Sequence, residues 1–181
     1  DGVVAVDGVA ARDAETPDYT EETLRDEAGL PASVSPIGHD SILSRIWNKP
    51  SITVTGIDAP SVKNASNTLT PEVSVVISMR VAPGQDARAA YAAIEQHLRA
   101  HAPFGAEVSF SDIECGNGFL VDTSGSAVAA ARTALEAGYG AAPVDIGVGG
   151  SIPFIADLVR EFPEAQILVT GVEDPNRKSV V

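Results

Sequence analysis

Four apolar residues on alternate positions, Val73, Val75, Ile77 and Met79, are followed by an apolar row at helical spacing, Ala87, Tyr91, Ile94 and Leu98. Side chains alternate across a strand but recur every 3.6 residues around a helix, so this change of period demands a strand, a turn and a helix in succession. Pro83-Gly84-Gln85-Asp86 supplies the turn and an N-cap, and Pro103 and Gly105 close the helix. Val76, Ser78 and Arg80 occupy the other face of that strand, which Pro71 opens. Alternation recurs on both sides. Ile52, Val54 and Gly56 oppose Thr53 and Thr55 over residues 51–57, and Val108 and Phe110 face inward over 107–113. Residues 58–70 between the first two strands are polar, with no clear period. Strand, loop, strand, helix and strand in this order predict an α+β fold, a ferredoxin-like sandwich in which the polar stretch shortens or replaces one helix.

The flanks read differently. Val3-Val4-Ala5-Val6 is a short strand-like run ended by Asp7-Gly8, and Asp18-Tyr19-Thr20-Glu21 has the form of a capping box with Asp18 as N-cap. A short helix follows, stopping at Gly29-Leu30-Pro31, and a second runs from about Asp40 to Trp47 before Pro50. After a loop at 114–121, Thr123 or Ser124 caps a helix carrying Val128, Ala131 and Leu135 and stopped by Gly138. Val144–Val148 then forms a strand, Pro153 starts a helix, and Gln166–Thr170 forms another strand. This is a βαβ unit, which calls for a parallel sheet covered on both faces and so for more strands than these. The expected organisation is a connecting segment at 1–46, a ferredoxin-like unit at 47–118, and an incomplete α/β portion at 119–181. A start at Asp1 rather than Met suggests an excised or processed segment.

Charge narrows the partners. Twelve basic and 25 acidic residues leave a net charge of −13, which repels phosphate backbones and argues against nucleic acid. Nine of the acids crowd residues 1–30 beside Arg12 and Arg25 only, a pattern that reads as a solvated face. No apolar run reaches the ~20 residues of a membrane helix, and no signal-peptide pattern opens the chain. A single cysteine, Cys115, excludes an internal disulfide and a thiolate zinc cage and suits the cytoplasm.

Few residues offer chemistry. His97 and His101 stand four apart on one helix, but Leu98 follows His97 where a His-Glu pairing is needed, and no third ligand is evident. Gly149-Gly150-Ser151 is not a nucleophile elbow, and Cys115 carries no mark of activation. Gly147, Gly149 and Gly150 lie between a strand and a helix, where backbone N–H groups can hold a carboxylate, although glycines at such turns are commonly structural. Arg80 offers a planar fork to a carboxylate, or pairs with one of the many acids at the rim.

Taken in order, Ser51-Ile-Thr-Val-Thr-Gly-Ile57, Asn67-Thr-Leu-Thr-Pro71, and Ile77-Ser-Met-Arg-Val-Ala-Pro-Gly-Gln-Asp86 resemble the lid domain of the aminoacylase, carnosinase and succinyl-diaminopimelate desuccinylase group of zinc metallopeptidases. Gly149-Gly-Ser-Ile-Pro153 and Thr170-Gly-Val-Glu-Asp-Pro175 resemble two later motifs of its dipeptidase branch. The resemblance covers about residues 47–175. It implies a catalytic domain with two zinc ions and an inserted lid that pairs two subunits into a homodimer. It also implies that Asn67 and Arg80 reach a small peptide or acyl-amino-acid substrate in the neighbouring subunit, and that Gly149, Gly150 and Ser151 contact its carboxylate end. Thr55 stands where carnosinase-like relatives carry a lid histidine, and Gly147 where they carry a carboxylate-binding arginine. The His-x-Asp ligand, paired glutamates and closing histidine of the family are not found. Zinc is therefore expected in the intact parent enzyme and not in this chain, which is expected to lack hydrolase activity alone; stoichiometric zinc after chelator washing would refute this. The rival expectation is a non-enzymatic dimerisation or small-ligand-binding module of ferredoxin-like fold.

Overall fold

Two strands, β1 (Ser51–Asp58) and β2 (Ser74–Arg80), pair antiparallel with Ile52 opposite Met79, Val54 opposite Ile77 and Ile57 opposite Val75. A computed structural model describes residues 3–147 and 153–170, and its other elements are helices α1 (Glu21–Ala28), α2 (Ile42–Asn48), α3 (Ala87–Ala100), α4 (Ser126–Tyr139) and α5 (Pro153–Glu161). The register shifts between Val54 and Gly56, so that Thr55 is an extra residue on β1. This bulge corrects the expected alternation: Ile57, not Gly56, joins Ile52 and Val54 on the apolar face, because one inserted residue reverses the parity of the strand beyond it. Ser51, Thr53 and Asp58 share the other face with Ser74, Ser78 and Arg80.

The central helix forms where expected. The Asp86 carboxylate accepts from the Ala89 N–H at 2.8 Å, and the Asn117 amide oxygen accepts from the Ala87 N–H at 2.9 Å, so two side chains satisfy donors that the first turn leaves open. Tyr91 meets Phe110 edge to face at 6.2 Å, and the Arg99 guanidinium lies 4.9 Å from the same ring. Residues 106–110 thus lie along α3, and the chain turns at Asp112, in the left-handed region at φ 53°. They are not a third strand, contrary to the alternation at 107–113. Arg99 also donates to the Val108 carbonyl, an oxygen a ladder would otherwise need. The described sheet has two antiparallel strands, which with the helices make an α+β arrangement.

Several boundaries differ from the sequence reading. Thr20, not Asp18, caps α1, accepting from the Thr23 N–H at 3.1 Å, and Gly29 ends it in the left-handed conformation at φ 63°. The second helix starts behind Ser41, whose hydroxyl accepts from the Ser44 N–H. Gly125 rather than Thr123 or Ser124 precedes α4, because the Gln166 side chain supplies the acceptor for the Ala127 N–H at 2.8 Å. A Cβ at Gly125 would stand 2.2 Å from that same oxygen. Gly140, at φ 70°, ends α4 two residues beyond Gly138. The Val3–Val6 run, residues 144–147 and residues 166–170 are unpaired among the described residues, so the parallel sheet is not formed there. Val144 and Ile146, which share one face of that segment, remain exposed, so that face is uncovered.

Burial is sparse and uneven. The chain of 18.6 kDa exposes 14056 Å², against roughly 8,200 Å² expected of a folded monomer of that mass. The buried residues described are Ile42, Ser44 and Asn48 in α2, Ala82, Ala87 and Ala90 around the start of α3, and Val128 in α4.

Candidate functional site

Arg80 ends β2 on its polar face, opposite Ser51, and on the other side from Val75 and Met79 as alternation requires. Among the described residues it has no ion-pair partner, and it borders an open concavity that the apolar faces of the hairpin and α3 also line. The guanidinium fork is therefore available to a carboxylate. Asn67 is exposed in the connection between Asp58 and Ser74, which leaves and re-enters the hairpin at the end remote from Arg80. Six residue steps along the strand separate Ser74 from Arg80, about 20 Å at ~3.4 Å per residue. The hairpin thus does not bring the attachment points of the two residues together. Gly149, Gly150 and Ser151 lie outside the described residues.

Thr55 is the bulge residue, and its hydroxyl donates to the Val76 carbonyl at 3.4 Å. His97 and His101 stack with ring centroids 4.1 Å apart, and His101 Nδ1 bonds the His97 carbonyl oxygen at 2.8 Å. Among the described residues no group of three or more His, Cys, Asp or Glu stands close enough to hold a metal, so the residues present do not fit a hydrolytic zinc centre. Beside the histidines on α3, Tyr91, Glu95 and Arg99 form a row. The Tyr91 hydroxyl and the Arg99 guanidinium both hold the Glu95 carboxyl below its usual range, and Glu95 in turn raises the Tyr91 phenol. Tyr91 and Arg99 of this row both contact the Phe110 ring.

The sequence reading missed the junction at the foot of the hairpin. The Gln85 side chain clasps the N-terminal segment, accepting from the Ala10 N–H at 2.9 Å and donating to the Gly8 carbonyl at 2.7 Å. The Asn48 carbonyl accepts from the Arg12 N–H at 3.2 Å, and Lys49 reaches both Asp13 and Asp40. Gly147 backs directly onto the Trp47 indole. The only sequence signal for this was the placement of the sole tryptophan just before Pro50.

The model of the peptidase dimerisation domain of the M20 peptidases matches residues 6–106, more than half of the chain. The chain belongs to this family. The dimerisation domain match begins well before the hairpin and ends after α3. A cysteinylglycine-S-conjugate dipeptidase from Corynebacterium striatum is 34% identical over 160 residues, 87% of this chain and 35% of the relative. The fold is similar to that of the di-peptidase Dug1p from Saccharomyces cerevisiae, with a TM-score of 0.62 and 22% identity over 87% of this chain and 36% of that one. It is also similar to human carnosine dipeptidase 1, with a TM-score of 0.60 and 21% identity over 80% of this chain and 31% of that one. The chain spans about a third of the length of these relatives. Among the described residues no helix is long and apolar enough to cross a membrane.

Proposed function

We propose that this chain is the dimerising and substrate-clamping part of a zinc-dependent dipeptidase, working in the cytoplasm on small peptides or acyl-amino acids. The observation that carries the reading is Arg80, a guanidinium at the end of a polar strand face, unpaired among the described residues and opening onto the concavity. A planar bidentate fork at the edge of a dimerisation module recognises a planar carboxylate such as a peptide terminus, and lysine does not reproduce its geometry. The chemistry derived for this chain is positioning alone, holding a substrate in register with a hydrolytic centre.

The hairpin supports self-association. Its apolar face carries Ile52, Val54, Ile57, Val75 and Ile77, all exposed, and both of its edges are free within the described sheet. Pairing around a two-fold axis would set the Arg80 end of one hairpin beside the Asn67 end of its copy, so Asn67 and Arg80 of different copies act on one substrate. Gly149, Gly150 and Ser151 are proposed to receive the carboxylate end of that substrate through backbone N–H groups.

Sedimentation equilibrium combined with dipeptide titration tests this reading. A dimer whose weak dipeptide binding falls at least about tenfold (~1.4 kcal/mol) in Arg80→Ala and stays low in Arg80→Lys is expected. A strictly monomeric chain at high concentration, or binding indifferent to Arg80, refutes it.

A further inference from the structure

We propose that Trp47 is a positioning residue, a pin that fixes the foot of the β1–β2 hairpin against the segment ending at Gly147. The contact is unusually close. A Cβ built on Gly147 would lie 2.5 Å from Cγ, 2.7 Å from Cβ and 2.7 Å from Cδ2 of Trp47. Three atoms of one rigid group stand there, two of them in the ring, so no flexible chain end can swing aside. The backbone of Gly147 is not in the left-handed region, so glycine is required at this position for space and not for conformation. The indole occupies the volume that any side chain at 147 would fill.

The position of that contact gives it a role beyond packing. Trp47 sits in the last turn of α2, four residues before β1 begins. Three of the buried residues described, Ile42, Ser44 and Asn48, belong to this one short helix, whereas nearly every residue of β1 and β2 is exposed. Segments distant in sequence converge on the same turn: Arg12 through the Asn48 carbonyl, Asp13 and Asp40 through Lys49, and Gly147 through the indole. The boundary between the held part of the chain and the free hairpin therefore falls at residues 48–51. Hinges are the few residues at an element's end that absorb a rotation, and they work only when the element behind them is immobile. Trp47 supplies that immobility, and movement of the hairpin is confined to Lys49-Pro50 on the way in and to Val81, between Arg80 and the buried Ala82, on the way out. This inference deepens the reading of the chain as a substrate clamp, by giving the hairpin a hinge, and rests on it.

Spin labels at Thr53→Cys on the hairpin and Ala141→Cys before the seat, in a Cys115→Ser background of the full chain, test the pin by pulsed electron spin resonance. Trp47→Ala is expected to make the distance distribution about twice as wide at a temperature where far-ultraviolet circular dichroism is unchanged, because the hinge then has no fixed end. Trp47→Phe, which keeps a flat ring over Gly147, is expected to restore the narrow distribution. If Trp47→Ala does not fold, Gly147→Ala decides: its methyl must lift the indole, giving the same broadening together with a shift of tryptophan emission to longer wavelength. Equal widths in the parent and in the folded variant would overturn the proposal, since a merely structural tryptophan lowers stability without loosening the hairpin. Label distances do not depend on substrate or on self-association measured at low concentration. A firm pin with an inert Arg80 would thus sink the clamp reading alone, and a loose parent with an active Arg80 would sink the pin alone.

Discussion

The foot of the hairpin and the hairpin itself obey different rules. At the foot, α2 buries Ile42, Ser44 and Asn48, and its end takes a hydrogen bond from Arg12, ion pairs through Lys49 to Asp13 and Asp40, and a packing contact from Gly147. A few turns further on, Val54 is 58% exposed and Val76 63% exposed, on opposite faces of a ribbon with two free edges. Two-stranded ribbons are marginal in water unless something covers them. The contrast teaches that this sequence spends its internal cohesion at the junction and leaves its most strand-like residues for an external surface to cover.

The contrast can be broken by substitution. Trp47→Ala is expected to lower unfolding free energy by about 3 kcal/mol, the lower end for loss of a large aromatic, read from urea melts, while Val76→Ala on the hairpin changes it by under about 0.5 kcal/mol. Comparable losses at the two sites would erase the distinction. Next in size, Ile77→Lys on the apolar face is expected to weaken self-association by about 2 kcal/mol, roughly thirtyfold in dissociation constant by sedimentation, with Ser78→Lys on the polar face as a near-neutral control. Asn117→Ala removes one acceptor from the start of α3 and is expected to cost about 1 kcal/mol in thermal or urea unfolding, sharpening the claim that side chains distant in sequence hold the element behind the hairpin.

The smallest effect is electrostatic. Burial, reinforced by the hydrogen bond to Glu27, pushes the Tyr19 phenol up to about 12. A raised pKa in the folded state favours the protonated form, so the associated stability is fully present below the ordinary tyrosine value near 10.0 and is lost as pH climbs through about 12. Alkaline titration at 295 nm is expected to show one of the three tyrosines ionising near pH 12, and Tyr19→Phe is expected to remove that step.

The sequence carried the local periods faithfully and the long-range pairings poorly. The stripe Ala87, Tyr91, Ile94 and Leu98 specifies α3, and the alternation through Val75, Ile77 and Met79 specifies β2, because each is a property of neighbouring residues. Val108 and Phe110 alternate equally well, yet their segment lies beside α3. Alternation records which way side chains point and says nothing of whether an edge is free to pair. The inserted Thr55 escaped notice for a related reason, since Ile52, Val54 and Ile57 satisfy one face only when an extra residue is allowed. The family resemblance, read from ordered motifs, is confirmed by the dimerisation domain match. Within the candidate site, Arg80 was legible from strand parity. The separation of its attachment point from that of Asn67 was not, because it depends on which end of the hairpin the connection leaves. By sequence Gly147 reads as part of an anion-binding turn, whereas in the fold its missing side chain makes room for Trp47.

The bulge at Thr55 has a consequence for anything that docks on this ribbon. One strand carries an unmatched residue, so sliding β1 against β2 by a single step would place polar Thr53 and Ser78 among the aliphatic residues, and a slide by two that set Ile52 against Ile77 would leave Met79 and Arg80 beyond the end of β1. The ribbon therefore has one setting, like a ratchet with a single tooth. Every incoming strand meets the same sequence of amide and carbonyl groups along its rim.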